Sequence, residues 1–182
     1  MTQAERSEIA TIAGGCFWCI EAVFRDVEGV KSAVSGYTGG ITPSPNYDQV
    51  CSGMTGHAEA VQVTYDPDKI TYREILEIFF SVHDSTTLNR QGGDVGTQYR
   101  SAVFYHNEKQ KEDAEKLIAE LSKQKIWKDP IITEVVAYTK FYKAEDYHQN
   151  YFAQHPGQGY CQIVISPKVS KFRQKWASKL KK

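Results

Sequence analysis

Two cysteines in Gly14-Gly15-Cys16-Phe17-Trp18-Cys19 are the residues of this chain best placed to do chemistry. The stretch before them, Glu8-Ile9-Ala10-Thr11-Ile12-Ala13, reads as a short strand, and Ile20-Glu21-Ala22-Val23-Phe24 begins an amphipathic helix. Cys16 is therefore expected where a strand hands over to a helix. Unpaired backbone N–H groups and the positive end of the helix dipole gather there. A thiolate is stabilised at such a place, so the expectation is a lowered pKa and a nucleophilic sulfur. The glycines let the chain turn tightly and leave the sulfur uncovered.

The C-x-x-C spacing has three readings: half a zinc site, a redox couple, or a nucleophile with an incidental or resolving neighbour. Zinc needs a second ligand pair, but Cys51 and Cys161 are isolated and no histidines pair at ligand spacing. No metal is expected. The other two readings share thiol redox chemistry. Cys51 is expected to be an ordinary buried cysteine.

A carboxylate is the second candidate. His57 to Tyr65 alternates as a strand, with His57, Glu59, Val61, Val63 and Tyr65 on one face. Beside two valines and a tyrosine, Glu59 is expected to be desolvated and its pKa raised. A third candidate is the glycine-rich stretch from Gln91 to Arg100, inside a segment without regular pattern from Asp84 to Thr97. Long polar loops of this kind in compact domains are often functional.

These residues need a scaffold. Strands are expected at Glu8–Ala13, Val30–Tyr37, His57–Tyr65, Ser101–Tyr105 and Ile131–Tyr138, with a short one at Ile163–Ile165. Helices are expected after Cys16, at Thr71–His83 with a Thr71/Glu74 capping box, after Asn107, and at Ala144–Phe152 carrying His148 and Tyr151. Pro167 is expected to open a basic C-terminal helix reaching Trp176 and Leu180. Residues 39–56 read as loop. This order predicts an α+β fold: a two-layer α/β sandwich with a ferredoxin-like (split βαβ) core and extra C-terminal segments. No linker or repeat interrupts it, so residues 1–182 are expected to form a single domain. Its catalytic core would cover about 8–165 and its basic helix about 167–180.

Composition narrows the function classes. Lys and Arg total 22, as do Asp and Glu, so net charge gives no pull toward nucleic acid or an anionic membrane. The basic stretch Lys168 to Lys182 reads as a solvated helix face. Met1 to Ser7 is polar and lacks an apolar signal core, and no apolar run approaches a membrane span. A cytoplasmic location is the expectation, with four cysteines held as thiols or redox centres.

Gly15-Cys16-Phe17-Trp18 followed by a helix resembles the signature of the peptide methionine sulfoxide reductase A family. Five further stretches resemble that family and follow its order: Gly36-Tyr37-Thr38-Gly39-Gly40; Tyr47-Asp48-Gln49-Val50-Cys51-Ser52-Gly53; Thr55-Gly56-His57-Ala58-Glu59-Ala60-Val61; Gly96-Thr97-Gln98-Tyr99-Arg100-Ser101; and Glu145-Asp146-Tyr147-His148-Gln149-Asn150-Tyr151. The resemblance implies a peptide-methionine (S)-S-oxide reductase, an oxidoreductase that repairs oxidised methionine in proteins and free. It implies that Cys16 attacks the sulfoxide sulfur and becomes a sulfenic acid. It further implies that Glu59, Tyr47 and Tyr99 hold or protonate the oxygen. Phe17 and Trp18 would wall the pocket for the S-methyl group, and Asp94, His148 and Tyr151 would lie near it. Cys161 would resolve the sulfenic acid as a disulfide, with Cys19 the alternative, since many family members carry glycine at that position. Thioredoxin, or dithiothreitol in vitro, would reduce the disulfide, with no bound cofactor. A monomer is expected, with oxidised proteins and free methionine sulfoxide as substrates. The competing function is a general thiol–disulfide oxidoreductase using Cys16 and Cys19. A third is a non-catalytic module that binds oxidised methionine. The remaining histidines, His57, His83, His106 and His155, read as surface or structural.

Overall fold

The computed structural model describes residues 6–182, so most of the polar stretch Met1 to Ser7 lies outside the described residues. Eight strands and six helices follow in chain order: β1 (Glu8–Gly14), α1 (Phe17–Arg25), β2 (Val30–Thr38), α2 (Tyr47–Cys51), β3 (Ala58–Tyr65), α3 (Tyr72–Val82), β4 (Arg90–Gln91), β5 (Asp94–Val95), β6 (Ser101–Tyr105), α4 (Glu108–Lys123), β7 (Glu134–Ala137), β8 (Phe141–Lys143), α5 (Tyr151–Gln154) and α6 (Ser166–Lys175). Six strands make one sheet in the order β7-β6-β1-β3-β2-β8, and β4 pairs only with β5. Every pairing in the large sheet is antiparallel except β6 with β7. The α+β class expected from the sequence is the class observed.

Strand order explains where the chemistry sits. The crossover through α1 joins β1 to β2 and leaves a gap that β3 fills, and the crossover through α3 joins β3 to β6 around β1. The N-terminal end of α1 therefore lies over the centre of the sheet, beside β3. The core packs α1 and α3 on the face bearing Ile12, Val61, Val63, Tyr65 and Val103. Phe24 and Phe79 are fully buried there, each worth roughly 1.5–3 kcal/mol of transfer free energy. The opposite face carries Ala13, Ala58, Ala60 and Ala102 under Phe104, with Tyr138 and Phe141 against them. The predicted alternation of β3 holds, and it puts Glu59 on the helix side with Val61 and Val63.

The helix signals read from the sequence are in place. Thr71 accepts from the Glu74 N–H at 3.1 Å, and Glu74 reaches back to the Thr71 N–H at 3.3 Å. Asn107 caps α4 by accepting from Gln110 N–H at 2.9 Å.

Five expectations are corrected. Ile163–Ile165 is helical, a wide π turn from Cys161 to Ile165 leading into α6. Cys161, Ile165, Val169 and Phe172 are all buried, a helical spacing of apolar residues, whereas Ile163 is 77% exposed. The stretch 144–152 does not form one helix. Gln149 is extended and Asn150 is left-handed (φ 54°), which separates a 3₁₀ turn at Asp146–His148 from α5. The strand expected over 131–138 is confined to Glu134–Ala137, the residues that β6 can pair. Finally, α6 stops at Lys175, and Leu180 instead bridges to Val27 in extended form. The loop expected over 39–56 also holds α2, whose capping box joins Asn46 to Gln49.

Candidate active site

Gly14, Gly15 and Cys16 carry the chain from β1 into α1. A Cβ on Gly14 would meet the Phe79 ring at 2.9 Å, so α3 packs directly against the backbone there. Gly15 has φ +94°, and a Cβ would fall 2.5 Å from Gln91 Cγ. Only glycine takes that turn without strain. Cys16 is the N-cap of α1, and its carbonyl accepts the Cys19 N–H at 3.1 Å.

The placement agrees with the sequence, but the sulfur's environment does not. Cys16 is only 8% exposed. Burial pushes its thiol well up, and the hydrogen bond to Cys19 and the nearby Glu59 push it the same way. The Trp18 backbone N–H pulls it down by less. The thiol, not a lowered-pKa thiolate, is thus the resting form, because desolvation outweighs the helix terminus. Cys19 is held down by the hydrogen bond from Cys16, against its own burial.

Glu59 faces this thiol from β3. It is 2% exposed, and its Oε1 accepts the Phe17 N–H at 3.2 Å. Burial pushes its pKa up to about 8, with the charges of Asp94 and Cys19 adding to the rise and the Phe17 bond opposing it. The carboxyl group therefore carries its proton at neutral pH, as the alternating strand pattern implied. Tyr47 opens α2 and Tyr99 ends a 3₁₀ turn, Thr97–Tyr99; both are half-buried. Burial raises both phenols, and Glu59 contributes next. Cys16 also acts on Tyr99, so thiol, carboxyl and two phenols share one electrostatic neighbourhood. Cys51 lies beside the Tyr47 hydroxyl and adds to the rise of that phenol.

An aromatic wall completes the site. Trp18 stacks on Tyr151 with ring centroids 3.8 Å apart. The indole N–H donates to His148 Nδ1 at 3.1 Å. His148 is 1% exposed, and burial lowers its pKa. Accepting at Nδ1 places the proton of the neutral ring on Nε2, which has no partner. Its ring lies 4.4 Å from Tyr47 and 5.2 Å from Phe17. Phe17 is itself fully buried against Tyr37, so it backs the wall behind His148.

The glycine-rich stretch is a small hairpin, with Gln91 opposite Asp94. Gln91 clamps it to the α3 end, accepting from the Asp84 N–H and donating to the Asp84 carbonyl, both at 2.8 Å. The same side chain fills the space beside Gly15, which ties the hairpin to the cysteine turn. Asp94 accepts a hydrogen bond from the Tyr160 hydroxyl at 2.5 Å.

The fold thus gathers Cys16, Glu59, Tyr47, Tyr99, Phe17, Trp18, Asp94, His148 and Tyr151 at one end of α1. Cys161 is fully buried at the start of the π turn, where burial and then the charge of Cys19 raise its thiol. Cys51 is half-buried rather than buried, because it sits at the exposed end of α2. Three polar supports were missed. Glu145 accepts from Tyr37 Oη at 2.9 Å and from the Tyr47 N–H at 3.1 Å. Glu21, 1% exposed, accepts from Ser35 Oγ at 3.1 Å and from the Asn150 N–H. The third is Gln91. A single glutamate among the apolar positions of a predicted helix was the available signal for Glu21. Among the described residues, no group of three or more His, Cys, Asp or Glu is arranged to hold a metal ion. No helix there is long and apolar enough to cross a membrane.

The chain is similar in sequence and fold to known proteins. Residues 8–180 match the family described as peptide methionine sulfoxide reductase. A peptide methionine sulfoxide reductase MsrA from Polynucleobacter asymbioticus is 53% identical over 171 residues, covering 94% of this chain and 90% of that protein. The reduced form of Mxr1 from Saccharomyces cerevisiae superposes with a TM-score of 0.81 at 36% identity, covering 88% of this chain and 92% of that one. The same yeast protein in complex with Trx2 has a TM-score of 0.58 at 27% identity, over 83% of this chain and 88% of that one.

Proposed function

The chain belongs to the peptide methionine sulfoxide reductase MsrA family, and on that premise we propose how its residues reduce a methionine sulfoxide. The observation that carries the reading is a buried thiol and a buried, protonated carboxyl group meeting at the first turn of α1. Glu59 gives its proton to the sulfoxide oxygen as Cys16 Sγ bonds to the sulfoxide sulfur, and it takes up the proton Cys16 loses. The oxygen then passes to Cys16 as the S–O bond to the substrate breaks. Methionine leaves, and Cys16 is a sulfenic acid, oxidised by the two electrons the substrate gained. Tyr47 and Tyr99 remain neutral phenols and donate to the same oxygen. Trp18 holds the S-methyl group, oriented through its bond to His148. We assign the S epimer at sulfur, and substrates both free and in proteins.

A second thiol then displaces water from the sulfenic acid and forms a disulfide. Cys161 and Cys19 compete for this role. The N-cap to N3 spacing of Cys16 and Cys19 supports Cys19 for the first disulfide, because it lets the sulfurs approach with little backbone movement. Cys161 is next in line, beside Cys19. A thioredoxin restores the thiols by exchange, a partner supported by the yeast relative's complex with Trx2. We read the chain as one cytoplasmic domain whose four central strands form the split βαβ core, acting as a monomer without a bound cofactor.

Racemic methyl p-tolyl sulfoxide with dithiothreitol tests the assignment. Loss of the S epimer alone is expected, and loss of the R epimer or of neither refutes it. Cys16→Ser should abolish turnover. Mass spectrometry after one turnover without reductant should show a Cys16–Cys19 disulfide. A Cys16–Cys161 disulfide would instead make Cys161 the direct resolver.

A further inference from the structure

Tyr160 has no part in the reaction above, yet it reaches into the site. Its hydroxyl donates to Asp94 Oδ2 at 2.5 Å. Its ring meets Trp18 edge-on at 6.0 Å between centroids. Cys16 is close enough to act on its phenol, and burial combines with that charge to raise it. Tyr160 therefore spans the opening from the indole wall to the hairpin carboxylate, next to a nucleophile that is 8% exposed. A substrate methyl sulfoxide must occupy the same space, with its methyl group on Trp18 and its sulfur on Cys16.

The segment that leads into Tyr160 is loosely built. Residues 153–159 are exposed, and a Cβ on Gly157 or Gly159 would meet nothing within 4 Å. The backbone bonds from residues 155 to 162 are local, from Gln158 N–H to the His155 carbonyl and from Gln162 N–H to the Gln158 carbonyl. Tyr160 itself opens the helical run into the π turn and packs on the core, so what can leave the site is its side chain, which swings away from Asp94 and Trp18 while the backbone stays. Cys161 follows it directly in the chain.

We propose that Tyr160 is a built-in competitor of the substrate: it closes the site over Cys16 through Asp94 and Trp18, and the incoming sulfoxide displaces it. The closed state protects the thiol from oxidants when no substrate is present. This deepens the reductase reading and rests on Cys16 as the attacking thiol.

The arrangement has a quantitative signature. If only a fraction of molecules is open, apparent affinity falls by that fraction, and trapping of the thiol by a small reagent slows by the same fraction. Tyr160→Ala should therefore raise the rate of Cys16 alkylation by iodoacetamide and lower KM for a small methyl sulfoxide by similar factors. A hydrogen bond to a charged carboxylate is worth enough to make that factor about tenfold or more. Tyr160→Phe, which keeps the ring and loses the bond to Asp94, should give a smaller shift in the same direction. Alkylation is followed by mass spectrometry of the Cys16 peptide and needs no turnover, so failure of the closure is distinguishable from failure of the reductase assignment. An alkylation rate within twofold of wild type in a folded Tyr160→Ala protein would overturn the proposal. So would a KM that rises. If Tyr160→Ala does not fold, an unchanged alkylation rate in Tyr160→Phe refutes the bond to Asp94 as the latch.

Discussion

Replacing Glu59 with glutamine tests the chemistry most directly, because the change keeps shape and removes a titrating proton. Glutamine can still accept the Phe17 N–H at its carbonyl oxygen, so the first turn of α1 keeps its bond. Loss of a positioned general acid slows the step it serves by about 100- to 10,000-fold. The assay is single-turnover reduction of a methyl sulfoxide without reductant, followed from pH 6 to 10. In the wild type the rate should descend above about pH 8, where Glu59 loses its proton; in Glu59→Gln the rate should be low and lack that descent. Stability gives a second reading. A carboxyl group raised from 4.5 to about 8 contributes stability that is present below pH 4.5 and is lost as pH rises through 8. At about 1.36 kcal/mol per pH unit, that loss is about 5 kcal/mol. Urea unfolding at pH 5 and pH 9 should show the wild type losing stability and Glu59→Gln losing less by about 4 kcal/mol, since pH 5 already lies above 4.5. A variant within threefold of the wild-type rate would refute the acid role. A pH dependence of stability identical in both proteins would refute the buried, protonated carboxyl group.

Two further substitutions separate the site from its scaffold. Gly15→Ala should destabilise the fold by about 2–4 kcal/mol, from the positive φ and the collision with Gln91. It should also raise KM, since Gln91 anchors the hairpin that bears Asp94; thermal unfolding and steady-state kinetics would show both. Thr71→Ala breaks the capping box of α3 and should cost about 1 kcal/mol, with kcat and KM unchanged, because α3 touches the site only through Gly14 and the Gln91 clamp.

The parts of this molecule legible in its sequence are those where local pattern and tertiary need coincide. The alternation of β3 predicted both the strand and a raised Glu59, because one face of that strand has only one core to enter. The Thr71 and Asn107 caps were read for the same reason. The sulfur of Cys16 was misread, since position in a helix is local but burial is not. The helix terminus favours a thiolate, and burial, with Cys19 and Glu59 beside the sulfur, favours the thiol more strongly. The break at Gln149 and Asn150 was invisible for a similar reason. Those residues leave helical geometry to make bonds to Ser35 and Glu21, more than a hundred positions away in the chain. In the last segment three adjacent apolar residues mimicked a strand, and the longer spacing from Cys161 to Phe172 carried the true period.

Gln149 has one more consequence. Its side chain accepts from the Ser35 N–H and donates to the Ser35 carbonyl, both near 3 Å, so an amide side chain continues the pairing along β2 past the end of β8. This stitch secures His148 and Tyr151 to the sheet. Between Tyr151 and Tyr160, the exposed residues 153–159 are where the length of the chain can vary with least effect on the aromatic wall. Lengthening a flexible loop is thermodynamically mild, about 0.6 kcal/mol for each doubling. Insertions between Gln154 and Gly157 fall in the exposed stretch between two anchors, the Gln149 stitch and the buried Cys161, and are the changes the pocket tolerates best.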